Sequence, residues 1–248
     1  MVNKDELITN CKSLLEAFKS GRLGQTKMPE DSNPGFSNEQ FELRLSYFTL
    51  PMALNYQRDS YKLWESALKT FNDPETKCVF SFDSVVEMDE GKLREHLTKY
   101  KLALQPNKHI MVWKRICETI KTNFGSFSNL IEKADSDYLK LKELIQIKHK
   151  KGFPYLSGPK IFNYWSFILR EYGQINIKNA GYIEIAPDTH ITQCSVKLGV
   201  ITTQEAENLS KDAISEKWRD LLKSSEINPI DMHPPLWFWS KNGFIFEL

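Results

Sequence analysis

Residues 152–198, GFPYLSGPKIFNYWSFILREYGQINIKNAGYIEIAPDTHITQCSVKL, decide how the chain is read. The stretch opens with a turn: Pro154, Ser157, Gly158 and Pro159 are turn and cap residues set close together. Lys160 follows, and then the apolar run Ile161, Phe162, Tyr164, Trp165, Phe167, Ile168 and Leu169. The run is rich in aromatics and holds no breaker, which predicts a buried helix with Pro159 in its first turn. Gly173 and Gly181 punctuate a less regular link. Ala186-Pro187-Asp188-Thr189-His190 then opens a second helix, with Ile191, Cys194, Val196 and Leu198 on its apolar side.

A lysine and an aspartate therefore stand at two helix starts. A helix N-terminus carries unpaired N–H groups and partial positive charge. It disfavours the ammonium form of Lys160, more so inside an apolar cleft, and a neutral amine is a nucleophile able to form a Schiff base. On residue type alone, a lysine after a turn is most often a solvated surface group, and Asp188 reads as an N-cap. The sharper reading makes Asp188 a carboxylate facing the same cleft as Lys160.

Outward from this stretch the pattern is helical throughout. Residues 1–19 carry Leu7, Cys11, Leu14, Leu15 and Phe18 at helical spacing, and 20–38 read as a loop without a signature, of the kind that still contacts substrate. A long pattern follows from Asn38, with Pro51 as a kink or restart, leading to Trp64. Residues 79–86 read as a short strand or a buried link. Further helices are predicted over 92–104, from a cap at Asn107, over 127–131 and over 138–147. Thr202-Thr203-Gln204-Glu205 has the form of a capping box. The length suits one domain of two helical lobes.

Composition narrows the function. The 248 residues carry a net charge of +1, so any polyanion must be met by local clustering. Lys148, His149, Lys150 and Lys151, with Lys160 beyond, form such a cluster; its plainer reading is a solvated basic helix end. Cys11, Cys78, Cys117 and Cys194 are scattered, with no CxxC, so reduced thiols and no metal or iron–sulfur cluster are expected. No long apolar segment or charged-then-apolar leader is visible, so a cytoplasmic, nucleoid-associated protein without a membrane span is expected. GxSxG, HExxH and P-loop motifs are absent.

The central stretch resembles the helix-hairpin-helix (HhH-GPD) DNA glycosylase superfamily. Leu156-Ser157-Gly158-Pro159-Lys160 is similar to that family's Leu-Pro-Gly-Val-Gly-x-Lys turn, Ala186-Pro187-Asp188-Thr189-His190 to its Pro-Val-Asp-x-His, and Lys197-Leu198-Gly199 to its Arg-Leu-Gly. The turn departs by holding one glycine, with Leu156 where the other usually stands, and the Lys160-to-Asp188 separation is longer than in most branches. The archaeal-type 8-oxoguanine glycosylase/AP lyase branch has a longer separation. Lys160-Ile161-Phe162-Asn163-Tyr164 is similar to its Lys-Ile-Leu-Asn-Tyr, Leu63-Trp64-Glu65 to its His-Trp-Glu, and Pro234-Pro235-Leu236-Trp237 to its Asp-x-Leu-Leu-Trp, with His233 where that branch has Asp. In that branch the Schiff-base lysine precedes the Lys-Ile-Leu-Asn-Tyr run, at Phe153 here without a gap and at Lys151 with a two-residue gap.

The resemblance implies an all-α fold of two helical lobes around a cleft in a single 1–248 domain. The central lobe with the hairpin would span about 75–160, and the N-terminal segment would join 161–248. It implies a monomer acting on damaged double-stranded DNA, with no cofactor beyond an optional monovalent cation at the hairpin. Leu156, Ser157, Gly158, Lys150 and His190 would contact DNA; Trp64, Trp237 and His233 would hold and read an extruded oxidised purine; Lys160, or alternatively Lys151, would be the nucleophile beside Asp188. The alternatives are a monofunctional glycosylase for another damaged base in which Asp188 activates water, a non-catalytic DNA-binding protein of the same fold, and a helical adaptor without DNA affinity.

Overall fold

The computed structural model describes residues 3–248. In chain order the α-helices are α1 (Lys4–Lys19), α2 (Phe41–Ala53), α3 (Ser60–Asn72), α4 (Phe82–Glu87), α5 (Glu90–Lys99), α6 (Pro106–Asn123), α7 (Phe127–Lys133), α8 (Tyr138–Lys142), α9 (Pro159–Glu171), α10 (Thr189–Leu198), α11 (Thr203–Asn208), α12 (Lys211–Leu222) and α13 (His233–Lys241). The class is all-α: among the described residues the only β pairing is an isolated bridge between Asp137 and Lys178. No helix is long and apolar enough to cross a membrane among the described residues.

The chain forms two compact units, Pro29–Asn179 on one side and the stretch up to Met28 with Ala180–Leu248 on the other. The expected boundaries near 75 and 160 thus fall inside one unit. The reason lies in α2, which is apolar on nearly every side: all ten residues from Arg44 to Ala53 are buried. A helix apolar all round must be enclosed. Helices α3, α6, α7 and α9 enclose it, so the segments before 75 and after 160 belong to its core.

That core is aromatic. Tyr47 and Phe48 meet Trp64, and Tyr47 also meets Phe71 and Phe80 with ring centroids 5.3 Å away. The buried indoles find acceptors, as desolvated N–H groups must: Trp165 Nε1 donates to Thr49 Oγ1 (3.1 Å) and Trp113 Nε1 to the Val79 carbonyl (2.8 Å). Truncating Trp165 to alanine would cost about 3–5 kcal/mol. Glu42 on α2 caps a second helix, its carboxylate accepting from the Phe127 and Ser128 amides at 2.7 and 2.8 Å. Residues 79–86 form no strand: a 3₁₀ turn (Lys77–Phe80) runs into α4, whose cap is Ser81. Nor does Asn107 cap α6; Gln105 does, because Pro106 takes the first helical position.

In the other unit α13 packs on α10 and α1. Cys194 Sγ donates to the Leu236 carbonyl (3.0 Å) and Trp218 Nε1 to Ser195 Oγ (2.8 Å), which fixes α10 against both neighbours. Gly199, at φ 81°, ends α10 in the left-handed conformation that favours glycine. The capping box of α11 is formed, Thr202 and Glu205 each accepting from the other's amide.

Candidate functional site

In the Pro29–Asn179 unit, α8 continues as a π-helical turn (Glu143–Lys148) and a 3₁₀ turn (Lys150–Gly152) before the chain reverses into α9. Phe153 and Leu156 are fully buried and anchor the reversal. Its backbone is closed by Ser157 N to Phe153 O (2.9 Å) and Gly158 N to Tyr155 O (2.9 Å), and Gln146 Nε2 donates to the Ser157 carbonyl (3.0 Å). Gly158 is the N-cap of α9, so no side chain accepts from the first amides of that helix, and Pro159 occupies its first position.

Lys150, Lys151 and Lys160 are all exposed, and among the described residues none has a carboxylate partner. Lys160 is therefore not in an apolar environment here. Lys151 belongs to a groove of about 680 Å³ between α6 and the turn, together with Lys148, Lys150 and Arg115. The turn lies close on α6: a Cβ added at Gly152 would sit 2.5 Å from Thr119 Oγ1.

The other candidate residues lie in the second unit. Asp188 is the N-cap of α10, half-buried, with Oδ1 accepting from Ile191 N (2.9 Å). Ser240 Oγ donates to Gln193 Oε1 (2.8 Å), which leaves that hydroxyl to accept from His190 Nδ1 (3.0 Å). This makes His190 Nδ1 a donor to Ser240. The His190 ring stands edge-on to Trp237 at 5.6 Å, and Lys241 Nζ lies over the same indole at 4.3 Å. Trp237 is half-exposed and His233 is buried. Two of the candidates, His190 and Trp237, thus meet in the α10–α13 packing, and Asp188 caps the same α10.

Trp64 has no exposed surface, being packed against Tyr47 and Phe48. It leads to a residue the sequence reading did not single out. Glu30, in the 3₁₀ turn Pro29–Asp31, is 1 % exposed. Burial pushes its carboxyl up to about 7, against a smaller downward pull from hydrogen bonds that include the Tyr164 hydroxyl. Its Oε2 and the Trp64 Nε1 both lack a hydrogen-bond partner, although the indole N–H bears on the carboxyl electrostatically. A buried carboxyl with an open lone pair is costly unless protonated. A loop acid gives no periodic signal, so only its packing reveals it.

Burial raises the thiols of Cys11 and Cys194 to about 12, so neither is a nucleophile near neutral pH. Among the described residues no group of three His, Cys, Asp or Glu side chains is placed to hold a metal ion. No family model matches the chain, and no curated protein matches it.

Proposed function

We propose that the chain is a base-excision DNA glycosylase of the helix-hairpin-helix type that removes an oxidised purine, 8-oxoguanine, and cleaves the strand as an AP lyase. The observation that carries this reading is the segment from Tyr138 to Glu171. It is a helix, a reversal and a second helix whose first amides have no side-chain cap, next to three cations without carboxylate partners. An uncapped helix start with fixed amides is suited to a phosphate oxygen. Ser157, Gly158 and Lys150 are the hairpin contacts of the proposal, with the expected contact Leu156 buried behind them as the anchor of the turn, and His190 is a further one; a monovalent cation at the hairpin carbonyls is an optional helper.

The chemistry proposed is nucleophilic displacement at the sugar. The neutral Lys160 amine forms an N–C1′ bond as the glycosidic bond breaks; the base leaves with that electron pair and takes up a proton. The amine loses a proton, the sugar ring opens to the imine, and loss of a C2′ proton expels the 3′-phosphate. Asp188 supplies the negative charge that stabilises the sugar cation. Trp237, half-exposed, stacks on the extruded base; His233 is buried and reads the base edge only if it is uncovered on binding. A stacking role for Trp64 requires the indole to be uncovered on binding. Lys151 is the alternative nucleophile.

One observation favours a second reading. Lys160 is exposed and does not stand in an apolar cleft. In a monofunctional glycosylase Asp188 would instead activate water, with no lysine adduct. The test is release of free base from a duplex carrying 8-oxoguanine. Release by the wild type and at least a hundredfold less by Asp188→Asn supports the glycosylase reading. Binding of the duplex without release of any damaged base leaves only a DNA-binding protein.

A further inference from the structure

We infer that the groove between α6 and the turn after α8 is a second anchor for the DNA backbone, and that Lys151 acts there as a phosphate ligand instead of the nucleophile. This rests on the proposal that DNA is the partner, and it extends the contact surface from Lys150 of the hairpin onto α6.

Three features point to phosphate. First, the charges are of one sign. Arg115 from α6 and Lys148, Lys150 and Lys151 from the turn line a groove of about 680 Å³, and among the described residues no carboxylate lines it. The acids nearest these cations stand outside it: Glu143 pairs with Lys148 at 2.9 Å and Glu118 with Arg115 at 3.7 Å. All four of these side chains are more than two-fifths exposed, and exposed pairs are weak enough for a phosphate to replace the carboxylate.

Second, the remaining polar groups are suited to backbone recognition. Asn123 on α6 is exposed and offers an amide, a neutral group that commonly joins Arg and Lys on phosphate oxygens; one of its N–H groups goes to the Thr119 carbonyl (3.1 Å), which leaves the other. Ile147 on the rim is 73 % exposed, an apolar side chain of a size to rest on sugar.

Third, the backbone that carries the lysines is held in place before any ligand arrives. The π-helical turn is closed by His149 N to Leu144 O (2.9 Å), and Gly152 N donates to His149 O (2.7 Å). The His149 ring stands edge-on to Phe124 at 5.1 Å, and Gly152 lies tight against Thr119. A π-turn inside a helix is frequently found at functional sites. Cations carried on a fixed turn lose less backbone freedom on binding than cations on a free loop.

The same geometry bears on the two candidate nucleophiles. Lys151 shares its groove with three other cations, where a phosphate gains most, whereas Lys160 lies outside that lining at the start of α9.

The experiment measures binding of the full chain to an undamaged DNA duplex and to the same duplex with one 8-oxoguanine, by fluorescence anisotropy over a range of salt concentrations. Arg115→Gln and Lys148→Gln are each expected to lower the log–log salt slope by about 1 and to weaken both duplexes equally, by roughly tenfold near 0.1 M salt. Arg115→Lys should restore the slope, and Lys12→Gln, on α1, should leave it unchanged. Unchanged slopes in Arg115→Gln and Lys148→Gln, with wild type still binding, would overturn the groove alone. Loss confined to the damaged duplex would overturn it as a backbone anchor, as would tighter binding of the matching RNA duplex. Wild type that binds neither duplex would overturn both the groove and the glycosylase reading. Salt-dependent binding through the groove without base release would keep the groove and remove the enzyme.

Discussion

The starts of α9 and α10 are built on opposite principles. Helix α10 is closed by its own acid: Asp188 sits at the N-cap and accepts from Ile191. Helix α9 begins at Gly158 and Pro159, with no side chain on its first amides and Lys160 exposed beside them. A capped start is satisfied internally, and an uncapped one leaves N–H dipoles for an external anion. The difference shows how one local motif, a turn entering a helix, is closed in one unit and left open in the other, where the proposal places phosphate. It also means that Asp188 carries two loads, a cap and, in the proposal, a catalytic charge.

The largest expected effect separates those loads. Asparagine caps a helix about as well as aspartate, so Asp188→Asn should keep the thermal midpoint near that of the wild type. Base release should fall by about 10²–10³ if the charge is catalytic. A fall in stability with release intact would reverse the assignment.

Glu30 extends the comparison to an acid that caps no neighbouring helix start in this way and is buried. Its carboxyl lies near 7 in the folded chain against 4.5 ordinarily, so the folded state holds the extra proton between those values. Stability should therefore be greatest below about pH 4.5 in this contribution, fall as pH rises to about 7, and stay flat above, a loss of about 3 kcal/mol at most. Glu30→Gln should remove that slope and unfold later in urea at pH 8 than the wild type; identical pH profiles would show that the carboxyl titrates normally.

Smaller effects address the caps themselves. Asp188→Ala removes the acceptor for Ile191 N and should cost about 1 kcal/mol in chemical unfolding. Gly158→Ser makes α9 begin as α10 does. A serine there gains only a few tenths of a kcal/mol as a cap, and its Cβ meets the Tyr155 carbonyl at 3.1 Å, so stability should barely move. Duplex affinity should nevertheless drop, because the serine oxygen competes for the amides offered to phosphate. Unchanged affinity would mean that those amides are not used.

Both helix starts were legible in the sequence because their signals are local. Pro159 reads as a first-turn residue, Asp188 as a cap and Thr202 with Glu205 as a capping box, and each is observed. What depends on tertiary packing was not legible. Residues 79–86 are short and apolar, and periodicity does not separate strand from helix over so few positions. The unit boundaries follow from the enclosure of α2, which brings residues far apart in sequence into one core. Glu30 sits in a loop like any solvated acid, and only the aromatic residues around it make it unusual.

The central claim is that the amine beside the uncapped start of α9 attacks the sugar. Borohydride trapping on a duplex containing 8-oxoguanine, with wild type, Lys160→Gln and Lys151→Gln, tests it most directly. A covalent protein–DNA adduct is expected that disappears with Lys160→Gln and persists with Lys151→Gln. An adduct that survives Lys160→Gln and is lost with Lys151→Gln, or no adduct with the wild type, would contradict it.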